Sequence, residues 1–307
     1  NGGGNARSRR TSLDAAESMF FLRELEAIKS KTYDKLYPEL MARRLIPVSN
    51  DAGPGAEAIT YRMFDSVGVA KLVADYATDL PKADAYGKEE TSPVRSLGVA
   101  YGYSLQEIRA AQHANRPLTD RKASAARRAF EQALDDIAAL GNEESGLKGL
   151  LNHPNVPVGT LTAPWEGKTP DEIVADISQQ VGAIRDLTNG VESGPFTILL
   201  PDKQYTQIAT TQNSIASDVT ILEFVLKSNP WVAEIAPWWR LKGAGAGGTD
   251  RMVIYTRNPD KLTLEIPQDF EQLPVQEKSL YYEVPCHGRI GGVIWYYPLS
   301  ARYVDGI

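Results

Sequence analysis

The run from Thr119 to Leu140, closed by Gly141, constrains this chain more than any other feature. Thr119 can cap a helix, and Ala123, Ala126, Phe130, Ala133, Leu134, Ile137 and Leu140 recur at spacings of three and four. That spacing predicts a long amphipathic helix with one apolar stripe. Arg121, Lys122, Arg127, Arg128, Glu131, Asp135 and Asp136 fall largely on the other side. Gly141 supplies the left-handed residue that ends such a helix, and Gly146-Leu147-Lys148-Gly149-Leu150-Leu151-Asn152 reads as a turn followed by a short buried segment.

A helix of this kind needs a layer to cover its stripe, and 307 residues with 42% hydrophobic content can supply one large core or two modest ones. No apolar run is long enough to cross a bilayer, and the first residues do not resemble a secretory signal. One cysteine, Cys286, excludes an intrachain disulfide and any multi-cysteine metal site. The net charge of −6 argues against a dedicated nucleic-acid reader.

The amino-terminal stretch is Gly-rich and then basic, with Arg7, Arg9 and Arg10. Two readings stand side by side: a mobile terminus, or arginines that touch nucleic acid or an acidic neighbour. Thr11 and Asp14 open a helix carrying Phe21, Leu25 and Ile28, and Lys31 to Val48 reads as an extended arm that needs a neighbouring surface. Ala58 to Phe64 and Val67 to Val73, joined near Asp65-Ser66, read as a hairpin. Ser104 with Glu107, and Thr169 with Pro170, Asp171 and Glu172, open two further helices; Asn189-Gly190 ends the second. Phe196 to Leu200 reads as a buried strand, Asp202 to Thr210 as a helix, and Asp218 to Ser228 as a helix capped by Asp218. Arg251 to Thr256, Leu262 to Ile266, Leu280 to Val284 and Val293 to Tyr297 read as strands.

Candidate chemistry is sparse. Gly243 to Gly248 precedes a strand instead of following one, and no Gly-Lys-Ser/Thr follows, so a flexible loop is the better reading than a phosphate cradle. His113, His153 and His287 lack metal-ligand spacing, and Cys286 and His287 point to opposite faces of a strand, which leaves Cys286 as a buried small side chain. Glu89-Glu90, Asp135-Asp136 and Glu143-Glu144 read as solvated pairs, since catalytic carboxylates need burial or a close partner. Trp238-Trp239, Tyr281-Tyr282 and Trp295-Tyr296-Tyr297 lack the interleaved basic residues of a stacking platform and read as core and contact residues. No catalytic, cofactor-binding or metal-binding residue is assigned.

The long helix with its glycine-punctuated exit resembles the backbone helix of the major capsid proteins of tailed phages. This is the fold first described in the Hong Kong 97 phage and shared by the encapsulins. The resemblance continues in Tyr33 to Val48, in Leu200-Pro201-Asp202-Lys203-Gln204-Tyr205, in Lys242 to Asp250 and in Gly291 to Leu299, nearly the whole chain. It implies an α+β fold with an amino-terminal arm (1–47) and an extended hairpin loop (48–82) that reaches over the adjacent subunit. It further implies a peripheral domain (83–156 and 261–298) with the long helix, and an axial domain (157–260 and 299–307) whose glycine loop lies toward a symmetry axis.

The implied function is structural, without catalysis or cofactor. Copies form pentamers and hexamers that close into an icosahedral shell around double-stranded DNA, in a virion assembled in the host cytoplasm. Implied partners are the chain itself, packaged DNA by non-specific contact, and scaffolding, portal and decoration proteins; no membrane is involved. An encapsulin-type compartment enclosing cargo is the nearer alternative, and the extended arm favours the phage reading. A soluble α/β enzyme using carboxylates is the more remote one.

Overall fold

The computed structural model describes residues 40–67, 84–113, 121–214 and 217–307, and the part from Leu40 onward forms one compact unit. The basic amino terminus, the helix after Thr11, the Thr119 cap and the stretch of Val67 to Val73 beyond Val67 lie outside the described residues. The chain runs through α1 (Ala42–Leu45), β1 (Val48–Ser49), β2 (Ala58–Val67), β3 (Asp84–Pro93), β4 (Arg95–Ser104), α2 (Leu105–His113) and α3 (Arg121–Leu140). It continues through β5 (Val158–Thr160), α4 (Pro170–Leu187), β6 (Phe196–Leu200), α5 (Asp202–Thr210), β7 (Gln212–Ser214), β8 (Ser217–Thr220), α6 (Ile221–Ser228) and β9 (Val232–Pro237). It ends with β10 (Arg251–Thr256), β11 (Leu262–Glu265), β12 (Gln268–Gln272), β13 (Gln276–Lys278), β14 (Tyr281–Ile290), β15 (Gly292–Trp295) and β16 (Ala301–Asp305).

Helix α3 buries Ala126, Phe130, Leu134, Ala138 and Ala139. Gly141 ends it with φ +69°, and the apolar exit segment folds back on the helix end. There the Leu150 and Leu151 amides donate to the carbonyls of Ala138 and Ala139 at 2.8 and 3.0 Å, satisfying acceptors that a helix terminus leaves open. That return requires Gly149, where a Cβ would lie 2.5 Å from the Ala139 carbonyl oxygen. Helix α2 opens with the Ser104–Glu107 box, its two bonds at 2.9 and 3.1 Å, and α4 with the Thr169–Glu172 box and Pro170.

Strands β4 and β14 pair antiparallel along their whole length, from Tyr281 opposite Ser104 to Ile290 opposite Arg95, with β12 and β13 on the other edge of β14. Helix α3 lies over this sheet so closely that a Cβ at Gly288 would stand 2.6 Å from Phe130 Cε2. A second sheet has the order β5-β16-β10-β6-β9. Alternation along β10 sends Val253 and Tyr255 into the core shared with Phe130, Leu134 and Trp295, and Met252 and Ile254 into the core of Ile173, Ile177 and Phe196 beneath α4. Strands β1, β11 and β15 make a third, small sheet.

Several elements differ from the sequence reading. The partner of β2 is β3, with Ala58 opposite Pro93 and Val67 opposite Asp84, so Asp65 and Ser66 lie inside a strand and are not the turn. The hairpin arms therefore run to Pro93, beyond the expected limit at residue 82. The expected extended arm contains the helical turn α1. Helix α6 starts at Thr220, whose hydroxyl accepts from the Glu223 amide, because Asp218 is taken into the β7–β8 ribbon. Strands β4, β9, β12 and β13 were not read, and β14 is longer than expected.

Candidate assembly surfaces

Two parts of the chain, the stretch from Leu40 to Ser49 and the β2–β3 hairpin, are rooted in the body by buried polar and aromatic contacts. The stretch from Leu40 to Ser49 is fastened by a buried carboxylate on α3. Asp135 Oδ1 accepts the amides of Met41 and Ala42 at 3.0 and 2.9 Å and so caps the amino end of α1. Its Oδ2 accepts Arg240 Nε at 2.6 Å, and the same guanidinium also binds Asp136. Asp135 is 1% exposed and sits 105 positions from Arg240, so the acid read as solvated is a buried clasp.

Around it, Arg43 bridges Glu131 at 3.0 Å and Asp269 at 2.7 Å. Burial works against the Arg43 charge, but the two carboxylates outweigh it and hold its pKa above the ordinary value. The Tyr255 hydroxyl donates to the Leu45 carbonyl at 2.7 Å, and β1 adds to β11 in parallel. Beneath that junction the buried Glu265 accepts the hydroxyls of Ser49 and Thr263 at 3.0 and 2.6 Å.

The β2–β3 hairpin is rooted by Tyr61 edge-on to Tyr296, with centroids 5.1 Å apart, and by the Ser92 hydroxyl donating to the Gly291 carbonyl at 3.1 Å. A Cβ at Gly291 would press on Ile59 Cδ1 at 3.0 Å, so glycine lets the hairpin root approach the β14–β15 turn. Glu90 accepts Lys88 and the Tyr61 hydroxyl, each at 2.7 Å, and these bonds hold its pKa below the usual carboxylate value. Burial, followed by the Glu90 bond, pushes the Tyr61 hydroxyl well up. Glu89 is engaged by Arg62 at 2.6 Å. Both carboxylates thus serve strand pairing.

The glycine loop is tied down instead of free. Asp250 Oδ1 accepts the Gly243 amide at 2.9 Å, Asp305 Oδ2 accepts the Ala246 amide at 3.0 Å, and the chain turns through Gly247 and Gly248 with φ +68° and +78°. Arg251 clamps Asp305 at 2.6 and 2.8 Å and donates to the Leu151 carbonyl at 2.5 Å, linking the loop's base to the exit of α3. Burial pushes the Asp305 carboxyl up, but the Arg251 and Ala246 bonds outweigh it and leave its pKa lowered.

The remaining sequence candidates do not converge. Cys286 is buried, burial raises its thiol pKa, and His287 lies on the opposite face of β14. Among the described residues no three His, Cys, Asp or Glu side chains gather as metal ligands. Glu143 and Glu144 are exposed in the loop after α3. Trp238 and Trp295 are core residues at 1% exposure, whereas Trp239 and Tyr297 are 40% and 55% exposed beneath Arg240 and Lys261, at 4.5 and 4.9 Å from their ring centroids. The Asp135–Arg240 clasp was invisible to local pattern; a buried acid on the polar flank of a long helix is only a weak sign of it.

The family model described as Major capsid protein matches residues 68–307. The chain belongs to the major capsid protein family. No curated protein matches it in sequence. The capsid of Myoviridae phage XM1 superposes with a TM-score of 0.81 at 19% identity, covering 100% of both chains. The capsid of a native GTA particle gives 0.69 at 11% identity over 99% of both, and the virus-like particle from Pyrococcus furiosus gives 0.56 at 14% over 85% of this chain and 91% of that one.

The Hong Kong 97-like capsid fold is therefore that of this chain. The clasp at Asp135, the hairpin root and the pinned glycine loop are accordingly features of a capsid subunit. No helix among the described residues is long and apolar enough to cross a membrane.

Proposed function

We propose that copies of this capsid protein associate as hexamers and pentamers and close into an icosahedral shell around double-stranded DNA. The observation that carries this reading is the β2–β3 pair, ten residues on each strand, bolted to the body at Tyr61, Ser92 and Ile59. A two-stranded ribbon is marginal in water unless something covers it. Reaching over an adjacent subunit would supply that cover and repeat the same heterologous contact around the shell. The full-length likeness to the XM1 capsid supports a phage head over a cargo compartment.

The proposed parts are an arm up to Pro47, a hairpin over 58–93, a peripheral part of the remaining residues up to Val156 with 261–298, and an axial part of 157–260 with 299–307. Assembly in the host cytoplasm, and contacts with scaffolding, portal or decoration proteins, belong to the same proposal, as does the absence of catalysis. Replacing residues 62–89 with a short turn tests it by sedimentation velocity. The expected outcome is a folded subunit that no longer forms large particles while the intact chain does. Undiminished assembly would overturn the role given to the hairpin.

A further inference from the structure

The first turn of α5, the residues that follow the glycine loop, and Gly306 with Ile307 enclose a cleft of about 510 Å³, a size in the range of small-molecule sites. Gln204 of α5 lines it and is 4% exposed. Its amide nitrogen donates to Asp250 Oδ2 at 2.8 Å and to the main-chain oxygen of Ile307 at 3.2 Å. Those two acceptors fix which end of the amide is nitrogen. Gln204 Oε1, on the other end, is buried and has no hydrogen-bond partner among the described residues. A buried acceptor in this state is uncommon in a folded protein and calls for a donor.

The chemistry of that donor follows from what surrounds it. Asp250 also lines the cleft; its Oδ1 holds the Gly243 amide, and among the described residues no cation pairs with it. Lys203 on the same wall is already held by Glu166, at 3.0 Å on the exposed rim. The cleft therefore offers an uncompensated carboxylate beside an open amide oxygen, which repels an anion and suits a cation carrying N–H donors. A divalent metal asks for about six oxygen ligands or more, and among the described residues no three acidic, histidine or cysteine side chains gather. Leu161 and Pro164 add apolar wall along which an alkyl stem can lie while its charged head reaches inward.

We propose that this cleft binds an alkylammonium or alkylguanidinium group, which donates to Gln204 Oε1 and balances the charge of Asp250. Two sources share that chemistry: a free small amine, and a lysine or arginine side chain of an adjacent copy. The site itself does not depend on the shell function proposed above.

Isothermal titration of the full chain with n-butylguanidinium chloride, and with the neutral n-butylurea, tests the site. The cation should bind one to a chain and about tenfold or more tighter than the urea. Gln204→Met should weaken it by about tenfold or more. Ala163→Trp fills the cleft from an exposed position, leaves the Gln204 bonds in place and should abolish binding, so the test survives if Gln204→Met does not fold. No saturable binding by the intact chain, equal binding of the urea, or full binding by the folded variants overturns the proposal. Binding kept in assembled particles supports the site and gives it to a free amine. Binding by dissociated subunits that disappears in particles supports it and gives it to a basic side chain of an adjacent copy. A chain that binds the cation but never assembles supports the site with a free amine as its ligand, and removes the shell function alone.

Discussion

Replacing Asp135 with alanine should destabilise this capsid protein more than any surface charge change. The carboxylate is 1% exposed and accepts two backbone amides and one guanidinium nitrogen, at 3.0, 2.9 and 2.6 Å. Its removal orphans the amides of Met41 and Ala42 in the interior, at about 1 kcal/mol or more each. It also leaves Arg240, with a side chain 9% exposed, with the half-exposed Asp136 as its one remaining carboxylate among the described residues. Breaking a buried pair from one side costs about 3–5 kcal/mol, and the retained Asp136 bond keeps the expected total near 4 kcal/mol. Urea unfolding of Asp135→Ala, followed by the fluorescence of the buried Trp238 and Trp295, measures that loss. The double variant Asp135→Ala/Arg240→Met should recover part of it, because no charge is then stranded, but not the share owed to the two amides. A loss below about 1 kcal/mol, or a double variant worse than the sum of the singles, would refute the clasp.

Two further outcomes follow from the packing and from titration. Gly288→Ala places a methyl 2.6 Å from Phe130 Cε2 and should cost about 1–3 kcal/mol, while Gly288→Ala/Phe130→Leu should regain part of it; an unchanged thermal midpoint for Gly288→Ala would contradict the close seat of α3 on β14. Burial, then Lys148, lowers His153 to about 4, so the unfolded chain takes up its proton first; stability is complete above pH ~6.5 and falls as pH drops toward about 4. The drop assigned to this residue between pH 7 and 4.5 is at most about 2–3 kcal/mol and should be missing in His153→Gln, so equal pH slopes for the two proteins would remove the assignment.

What could be read from the sequence follows from the range of the interactions involved. Helices α2 and α4 were legible because their caps lie within three residues of their first turns, and the end of α3 because Gly141 is a local requirement. The partner of β2 was misassigned because Val67 to Val73 has the apolar, β-branched character of a strand. The true partner, Asp84 to Pro93, contains Gly87, Lys88, Glu89, Glu90 and Pro93, residue types depleted in strands. A projecting ribbon is not sandwiched in a core, so its strands need not look hydrophobic. Strand β4, with Gly98 and Gly102, was hidden for a related reason: a Cβ at Gly102 would collide with Tyr281, so glycine is there to admit a cross-strand ring.

The assembly surfaces were less legible than the fold. Asp135 acts on residues 94 and 93 positions earlier and 105 later, and nothing in its own neighbourhood distinguishes it from Asp136. The glycine loop read as flexible because glycine string and context were all that local sequence offered. Its restraint comes from Asp305, 59 positions from Ala246 in the last strand.

Electron microscopy of particles formed by the full chain tests the central claim most directly. The account predicts closed polyhedral shells in which density for the β2–β3 hairpin crosses onto an adjacent subunit, with α3 and the β4–β14 sheet in the body that carries it. Monomers or dimers under every assembly condition would contradict the shell function. Closed shells with each hairpin folded back on its own subunit would contradict the mechanism given for holding them together.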